Sequence, residues 1–464
     1  MTDSERELRA RVAVAEKNIA RVKKGAYRCK YHLLPPVGWL NDPNGLIKVN
    51  GLYHVFFQYA PESAEGEGLR GWGHYVSPDL VNWEYRGMAI YPDTPFDADG
   101  AYSGSCVADK DGFRIYYTGN VKHKDKNYDY VFDGRESNTI LIRTEDGFNL
   151  DEKQVLLRTP DYPEEFTRHI RDPKVNITEE GYSMVLGGRL KGDKGAVLLY
   201  KSRDGLDFTL DKVVSTPDKF GFMWECPDRF TLDGLNVLSV SPQGVPHEKY
   251  AFQNVYASGC FIGDVKRENF REWDFGFDFY APQTFWDGQR RILFGWAGMP
   301  DADYDNLPEV REGWQHSLTL PRVLTAKNGV IYQSPAEEVE KLRQREIPID
   351  EDCACYELQI TDISQGLKVI LSDALEISFG KDECVCSFVS AAGRGRKTRR
   401  AAFSAEKAVI FMDVSVCEVY FNDGEKVFTT KLFPDSYSVK IYGNCKAKRF
   451  ALGAYSVKIT ASEF

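Results

Sequence analysis

Three acidic side chains stand in backbone settings that restrict where a carboxylate can point. Asp42 and Asp172 each precede a proline, and such a residue is confined largely to extended conformations. Glu225 lies in the segment Trp224-Glu225-Cys226-Pro227-Asp228, among an aromatic ring, a thiol and a proline. Each segment alone is more often structural than catalytic. Together they predict an acidic pocket lined by tryptophan and tyrosine, which is typical of a sugar site, and hydrolysis of a glycosidic bond needs two carboxyl groups in different protonation states.

The neighbours of each acid predict its protonation state. Two other carboxylates and an indole ring disfavour the charged form of Glu225, which makes Glu225 the natural proton donor. Asn44-Gly45 is expected to form a turn rich in backbone donors directly behind Asp42, so Asp42 is the natural anion. Arg171 precedes Asp172 and is expected to keep it ionised, so that Asp172 could bind sugar hydroxyls.

The pattern of strands and turns predicts how these acids are brought together. From about residue 31 to 325, short alternating strands are separated by hairpin turns at Asn50-Gly51, Asp111-Gly112, Asp233-Gly234 and Asp287-Gly288, with another across Gly192–Gly195. A second turn motif begins at Ser77, Thr144, Ser202 and Lys266, at intervals of 67, 58 and 64 residues. An all-β repeat of this size predicts a five-bladed β-propeller, in which the inner strands converge on one funnel. A pair of β-sandwiches is the alternative, although sandwiches rarely carry a regular internal period.

Two further units flank the repeat region. The expected organisation is an N-terminal helix in 1–27, a propeller in 28–330, a linker in 331–350 and a β-sandwich in 351–464. The helix is predicted over residues 4–24, with a capping box formed by Ser4 and Glu7 and an end at Gly25. The basic run at 394–400 is interpreted as a solvated hairpin tip.

Composition excludes several classes of function. The net charge of -10 argues against a nucleic-acid partner, because neutralising phosphates needs a basic surface. No apolar run approaches the roughly 20 residues that span a bilayer, and the charged first residues lead into no signal-peptide core. We therefore predict a cytoplasmic protein with no membrane partner, and the scattered cysteines fit that compartment.

No metal or organic cofactor is predicted. Glycosidic hydrolysis by two carboxyl groups needs neither. The doublets Cys353/Cys355 and Cys384/Cys386 have a single intervening residue, whereas zinc-binding pairs have roughly two to four. On a strand, residues two apart simply share a face.

Eight motifs in order resemble one known family. They are Trp39-Leu40-Asn41-Asp42-Pro43-Asn44-Gly45, Phe57-Gln58-Tyr59, Trp72-Gly73-His74, Tyr102-Ser103-Gly104-Ser105, Arg171-Asp172-Pro173, Glu225-Cys226-Pro227-Asp228, Asp278-Phe279-Tyr280-Ala281-Pro282-Gln283-Thr284-Phe285 and Gly295-Trp296. Over nearly the whole chain this is similar to glycoside hydrolase family 32, the invertases, fructanases and sucrose-6-phosphate hydrolases. The resemblance implies a five-bladed propeller followed by a β-sandwich, and retention of configuration through a covalent fructosyl-enzyme intermediate.

The resemblance also implies roles for individual residues. Asp42 would be the nucleophile, Glu225 the acid/base and Asp172 the transition-state stabiliser. The expected fructose subsite contains Asn41, Gln58, Tyr102, Ser103, Arg171 and Trp296, with Trp39, Leu40, Trp72, Asp278 and Tyr280 close by.

One loop departs from the family pattern. Many members carry a tryptophan after the Gln58-Tyr59 motif, whereas residues 61–68 contain none and are acidic. The edge of the pocket that receives the leaving group is therefore expected to differ. Cations that could bind a phosphate there are Arg70, Lys122, His123 and Lys124, although a solvated loop explains them equally well.

The favoured hypothesis is an intracellular β-fructofuranosidase that acts on sucrose or sucrose 6-phosphate. The alternatives are a fructan hydrolase acting on inulin or levan, and a sugar-binding propeller without catalysis.

Overall fold

The computed structural model describes residues 3–123, 129 and 131–460. Its α-helices are α1 (Asp3–Glu16), α2 (Ile19–Val22) and α3 (Leu307–Glu312). The prediction of one helix over 4–24 is wrong, because the helix is interrupted where the Asn18 amide donates a hydrogen bond to the Ala15 carbonyl. The helix begins before Ser4, so Ser4 does not cap it. No helix in the described part of the chain is both long and apolar enough to cross a bilayer.

Five sheets follow one another along the chain and form the five-bladed propeller. The first contains β1 (Gly38–Val49), β2 (Leu52–Ala60), β3 (Gly71–Ser77) and β4 (Asn82–Ile90). The second contains β5 (Ala101–Asp109), β6 (Gly112–Lys122), β7 (Arg135–Thr144) and β8 (Gln154–Leu157). The third contains β9 (Phe166–Thr178), β10 (Gly181–Leu190), β11 (Lys194–Ser202) and β12 (Thr209–Val214).

The fourth and fifth sheets complete the circle. The fourth contains β13 (Met223–Leu232), β14 (Leu235–Gln243), β15 (Gly259–Ile262) and β16 (Phe270–Glu272). The fifth contains β17 (Tyr280–Trp286) and β18 (Arg291–Ala297), and after β19 (Trp314–Gln315) it continues with β20 (Ser317–Leu318), β21 (Arg322–Lys327) and β22 (Val330–Pro335). Strand β19, which lies in the chain between β18 and β20, pairs in parallel with β1, so the fifth-blade segment of the chain is hydrogen-bonded to the first blade.

The first strand of every blade lies at the centre of the propeller. Strands β1, β5, β9, β13 and β17 contact one another in a closed ring. Residues that are far apart in the sequence therefore meet at one end of this ring. The propeller prediction is confirmed, and the alternative of two β-sandwiches is wrong for this region.

The predicted turns lie where the repeat places them. Asn50 and Gly51 join β1 to β2 and both have positive φ, as a two-residue hairpin requires. The second turn motif joins the third and fourth strands of the first four blades. In three of them, Asp79, Asp146 and Asp204 accept hydrogen bonds from backbone N–H groups two and three residues later, which is why the motif recurs.

The C-terminal β-sandwich consists of two sheets. Its strands are β23 (Arg343–Ile347), β24 (Cys355–Thr361), β25 (Lys368–Leu371), β26 (Leu375–Phe379), β27 (Cys384–Phe388), β28 (Thr398–Ala401), β29 (Ala408–Asp413), β30 (Val416–Phe421), β31 (Lys426–Lys431), β32 (Val439–Tyr442) and β33 (Lys446–Leu452). One sheet has the order β23-β33-β24-β29-β30-β31 and the other β28-β27-β26-β25-β32. The last strand, β34 (Ser456–Ile459), returns to the propeller and pairs in parallel with β4.

The interface between propeller and sandwich buries a network of charges. Arg322 on β21 forms ion pairs of 3.1 Å with Asp274 and 2.6 Å with Glu418 on β30. The His32 ring lies between Asp413 and Glu418, with its nitrogens 2.7 and 3.1 Å from their carboxylate oxygens. Burial opposes a charge on His32, but the two carboxylates outweigh it and raise the pKa of His32. Breaking a buried ion pair leaves an uncompensated charge, which is costly. The network therefore fixes the orientation of the sandwich relative to the propeller.

Candidate active site

Each inner strand carries a β-bulge at the same level of the propeller. Its pairing with the second strand of the blade leaves two residues opposite one; the five pairs are Asn41-Asp42, Tyr102-Ser103, Asp172-Pro173, Cys226-Pro227 and Ala281-Pro282. A bulge bends the strand and changes the direction of its side chains. Asp172 accordingly has φ of 63° rather than the extended backbone expected before a proline.

The segment behind Asp42 differs from its prediction. Asn44 and Gly45 lie inside β1, at a second irregularity in the pairing with β2, and do not form a turn. The glycine has φ of 54°, and a Cβ at this position would meet the Phe56 ring at 2.7 Å. Close packing of neighbouring side chains, rather than chain reversal, therefore requires glycine here.

A cleft of about 660 Å³ opens at this end of the ring. Eleven of the fourteen residues predicted for the site line it: Trp39, Asn41, Asp42, Gln58, Tyr102, Ser103, Arg171, Asp172, Glu225, Tyr280 and Trp296. A larger groove of about 1060 Å³ lies on the third blade, among residues such as Thr178 and Asp204, and contains none of the predicted site residues. We assign the active site to the smaller cleft because its side chains can perform acid–base chemistry.

Asp42 is held by side-chain donors. The Ser103 hydroxyl donates to its Oδ2 at 2.6 Å, and the Asn41 amide donates to its Oδ1 at 3.1 Å. The Trp39 indole N–H in turn donates to the side-chain oxygen Oδ1 of Asn41 at 2.8 Å, which fixes the orientation of the Asn41 side-chain amide. Burial raises the pKa of Asp42, the Ser103 and Asn41 donors oppose that rise, and the nearby Glu225 charge adds to it.

Asp172 is almost completely buried, with 5% of its surface exposed. Its Oδ2 accepts the backbone N–H of Cys226 at 2.9 Å. Burial raises the pKa of Asp172 to about 7; the Arg171 charge opposes the rise, and the Glu225 and Asp42 charges add to it. The Arg171 charge acts in the expected direction, but burial outweighs it, and the Arg171 guanidinium bonds Glu225 rather than Asp172.

Glu225 accepts four hydrogen bonds. Arg171 donates from Nε at 3.1 Å and from Nη2 at 2.5 Å to Oε1. The Tyr280 hydroxyl at 2.6 Å and the Gln243 amide at 2.8 Å donate to Oε2. The indole predicted beside Glu225 is absent from the cleft, since Trp224 is fully buried between the third and fourth blades.

The three acids meet around Cys226. Its backbone N–H bonds Asp172, its thiol donates to Asp42 Oδ2 at 3.5 Å, and Glu225 is its neighbour in the chain. The bulge at Cys226-Pro227 thus places one residue in contact with both aspartates. Carboxyl groups from the first, third and fourth blades share one cleft.

Three predicted residues lie outside the lining of the cleft. Leu40 is fully buried on the opposite face of β1, as strand alternation requires. Trp72 is fully buried too, and its indole N–H donates to the Tyr102 carbonyl at 3.0 Å, so it supports the cleft from behind. Asp278 forms a buried two-bond ion pair with Arg396 of the sandwich, at 2.7 and 2.8 Å. The basic run at 394–400 is therefore not a solvated tip.

Sequence reasoning missed a group of residues that also line the cleft: Glu65, Arg135, His169, Arg189, Phe222, Met223, Gln243, Tyr256, Pro300 and Asp301. Pairing register could have identified Gln243, which lies opposite Met223, two residues before Glu225. Nothing in the sequence distinguishes the arginines of this group from solvated ones.

The four cations proposed for a phosphate occupy different places. Arg70 lines the cleft, donates to the Gly66 carbonyl at 2.8 Å and has no carboxylate partner among the residues described. Lys122 lines an adjoining groove, His123 lies 3.5 Å from Glu136, and Lys124 lies outside the described residues.

Potential metal ligands come together away from the cleft. Within the described ranges, Cys29, His32 and Asp413 place ligand atoms within 4.8 Å of one another. Each already has a partner: the His32 ring bonds the Asp413 carboxylate at 2.7 Å, and the Cys29 thiol donates to the Asp413 carbonyl at 3.2 Å. The set belongs to the domain interface. Cys384 and Cys386 lie two apart on β27, both in the core of the sandwich.

Comparison with known proteins agrees with the geometry. The model of the glycosyl hydrolases family 32 N-terminal domain matches residues 32–335, and that of the family 32 C terminal matches residues 391–457. The chain belongs to glycoside hydrolase family 32. Among family members, the sucrose-6-phosphate hydrolase of Bacillus subtilis is 37% identical over 466 residues, covering 94% of this chain and 95% of its own length.

Solved family 32 structures have the same architecture. Sucrose-6-phosphate hydrolase from Lactobacillus gasseri superposes with a TM-score of 0.85 and 28% identity, covering 96% of this chain and 97% of its own. The β-fructofuranosidase of Bombyx mori superposes with a TM-score of 0.84 and 26% identity, covering 98% and 99%. A mutant of the Bombyx mori enzyme has been solved in complex with sucrose.

Proposed function

We propose that this enzyme hydrolyses the β-fructofuranosidic bond of sucrose 6-phosphate and of sucrose, with retention of configuration through a covalent fructosyl-enzyme. The observation that carries the proposal is the convergence of Asp42, Asp172 and Glu225 on one cleft. Relatives over 30% identical along nearly the whole chain are named sucrose-6-phosphate hydrolases, which supports the same substrate class.

In the first half-reaction, Asp42 attacks the anomeric carbon of the fructosyl unit while the bond to the glucosyl oxygen breaks. Ser103 and Asn41 hold the two oxygens of Asp42 from different sides, which aims the attack. Glu225 donates a proton to the departing oxygen, so glucose or its 6-phosphate leaves as the alcohol. Tyr280 and Arg171 fix the position of Glu225 for this transfer.

In the second half-reaction, Glu225 takes a proton from water, and the water oxygen attacks the same carbon and releases Asp42. Asp172 is placed to bind sugar hydroxyls whose hydrogen bonds strengthen as positive charge develops on the ring. The buried indole N–H of Trp296 has no hydrogen-bond partner among the described residues, and a sugar oxygen would satisfy it.

Substitution of the two reacting carboxyl groups tests the catalytic roles. Asp42→Asn and Glu225→Gln should each abolish nearly all sucrose hydrolysis, since general acid catalysis alone contributes about 10² to 10⁴-fold. Circular dichroism and thermal unfolding should remain close to wild type. Asp204→Asn, on an exposed turn of the third blade, is the matched control and should keep full activity. Near-normal turnover in either folded active-site variant would contradict the assigned roles.

Arg70 is the cation best placed to recognise a phosphorylated leaving group. It lies just after the loop at 61–68 that departs from the family pattern and it lines the cleft, and its only described side-chain bond is to the Gly66 carbonyl. The other arginines at the cleft are engaged: Arg135 with the Asn120 side-chain oxygen at 2.5 Å, Arg171 with Glu225, and Arg189 with Asp193 at 2.6 Å. His169 is neutral, because burial and then the surrounding arginine charges lower its pKa to about 2. The Glu65 charge on the same loop opposes an anion, so Arg70 must outweigh it.

Comparing two substrates tests this assignment. Arg70→Gln should raise KM for sucrose 6-phosphate by about ten- to a hundredfold, the value of one hydrogen bond to a charged group. KM for sucrose should change little. Arg86→Gln, which removes an arginine paired with Glu84 on the outer part of the first blade, should affect neither substrate. An equal loss for both substrates, or no loss, would refute phosphate recognition by Arg70; inulin as a third substrate would reveal a fructan hydrolase.

A cytoplasmic location forms part of the proposal. All ten cysteines are free thiols, which suits a reducing compartment. An enzyme that acts on sucrose imported in phosphorylated form would work in the cytoplasm.

A further inference from the structure

A loop of the sandwich reaches into the propeller close to the cleft. Residues 393–399, which we call the arginine loop, run from the end of a 3-10 helix into β28. Arg396 at its centre is only 3% exposed, although its type and its basic neighbours favour the surface. Placing an arginine in the interior is costly unless its hydrogen bonds are satisfied.

Asp278 of the propeller accepts two of the five hydrogen bonds that the Arg396 side chain donates. Its two carboxylate oxygens accept from Nη2 and Nε of Arg396 at 2.7 and 2.8 Å, and neither side chain is exposed. The backbone N–H of Lys431 also donates to Asp278 at 2.8 Å, and the Asp278 N–H donates to the Thr429 carbonyl at 3.0 Å. Asp278 is therefore hydrogen-bonded both to β31 and to the arginine loop.

Asp278 lies two residues before Tyr280, a side chain of the active site. Strand β17 starts at Tyr280, whose hydroxyl donates to Glu225 Oε2 at 2.6 Å. The bulge at Ala281-Pro282 follows immediately, so the strand cannot set the position of Tyr280 by regular pairing on both sides. The hydrogen bonds of Asp278 to Arg396 and β31 restrict the position of the chain where the bulge has removed regular strand pairing.

The arginine loop also holds the rim of the cleft. Arg394 forms a two-bond ion pair with Asp305 at 2.9 and 3.1 Å. Arg396 donates to the Asn306 side chain at 2.7 Å and lies 4.1 Å from the centroid of the Tyr304 ring. The same rim segment contains Pro300 and Asp301, which line the cleft.

We propose that Arg396 is a positioning residue for catalysis, which acts from the sandwich through Asp278 and Tyr280 on Glu225. The inference rests on the role proposed for Glu225. It requires an arginine, because a lysine cannot offer the two parallel donors that the Asp278 carboxylate accepts. It also gives the sandwich a part in the reaction, although the sandwich contributes no described residue to the cleft lining.

A double-mutant cycle on the full-length enzyme tests the route. Arg396→Gln should lower kcat for sucrose by on the order of 10- to 100-fold, the cost of a small displacement of a catalytic group, with a smaller effect on KM. Tyr280→Phe should lower kcat as well. The combined variant should be no more than about threefold slower than Tyr280→Phe alone, because both changes act on the same route, from Asp278 along the backbone to Tyr280 and on to Glu225.

Two further variants make the result decisive. Arg396→Lys keeps the charge and should fold, with kcat between wild type and Arg396→Gln and the same dependence on Tyr280. Arg400→Gln, four residues along and paired at 3.3 Å with Glu383, which is half-buried, should retain wild-type kcat. Wild-type kcat in folded Arg396→Lys and Arg396→Gln would overturn the proposal. So would a combined variant in which the losses of kcat from Arg396→Gln and Tyr280→Phe multiply in full. High activity in Glu225→Gln would instead overturn the function on which it rests.

Discussion

Replacing Asp172 by asparagine should stabilise the folded protein in a pH-dependent way. Burial raises the pKa of Asp172 to about 7 from its ordinary value of 3.8. Above its unfolded-state pKa, the unfolded chain gives up this proton more readily than the folded chain does. The stability that protonated Asp172 contributes is therefore complete below about pH 4 and is lost as the pH rises through about 7.

The magnitude follows from the size of the shift. A difference of about 3 pKa units corresponds to roughly 4 kcal/mol, at about 1.4 kcal/mol for each unit. Asparagine resembles the protonated acid and can still accept the Cys226 N–H. The advantage of Asp172→Asn in free energy of unfolding should therefore grow by about 1.4 kcal/mol per pH unit between about pH 4 and 7, and stay constant above.

Urea unfolding at pH 5, 6, 7 and 8, followed by tryptophan fluorescence, measures this slope. The matched control is Asp204→Asn, because turn N–H groups lower the pKa of Asp204 to about 2. Its effect on stability should be constant over the same range, since the carboxylate is ionised in both states. If the difference in free energy of unfolding between Asp172→Asn and wild type does not change with pH, or if the variant is less stable than wild type at pH 8, burial does not raise the pKa of Asp172.

Two further substitutions probe other contacts. Ser103→Ala removes the donor at 2.6 Å to Asp42, so the pKa of Asp42 should rise further. The acidic limb of the pH profile of kcat/KM for sucrose should therefore move up by about one pH unit. An unshifted limb would exclude a role for the Ser103 hydroxyl in keeping the nucleophile ionised. Arg322→Met breaks the buried ion pairs of the domain interface and should lower the free energy of unfolding by about 3 to 5 kcal/mol in urea titrations at neutral pH; a loss below about 1 kcal/mol would show that the network does not hold the domains together.

The sequence was informative about the turns that join neighbouring strands of the repeat. The Asn50-Gly51 hairpin and the Asp79, Asp146 and Asp204 turns depend on residues a few positions apart, and the structure places all of them as predicted. The repeat of such turns was sufficient to predict the propeller. The shared cleft followed because a propeller brings equivalent strand positions to its centre.

Contacts between distant segments could not be predicted in the same way. The family resemblance places Asp278 near the sugar, yet its partner is Arg396, 118 residues away on the sandwich. Adjacency in the sequence pairs Arg171 with Asp172, but the Arg171 guanidinium reaches across to Glu225 on the next blade. In both cases the charge pattern was visible in the sequence, whereas the pairing depended on bends that only the folded chain provides.

The five bulges have a consequence for how the enzyme can change. Because side chains alternate along a strand, removing one residue from β9 would turn Asp172 toward the core and carry an apolar neighbour into the sugar site. Insertions and deletions in the inner strands should therefore be far less tolerated than in the loops outside them. New specificities in this scaffold should arise by lengthening or shortening the rim segments, while the spacing between each acid and its proline is left intact.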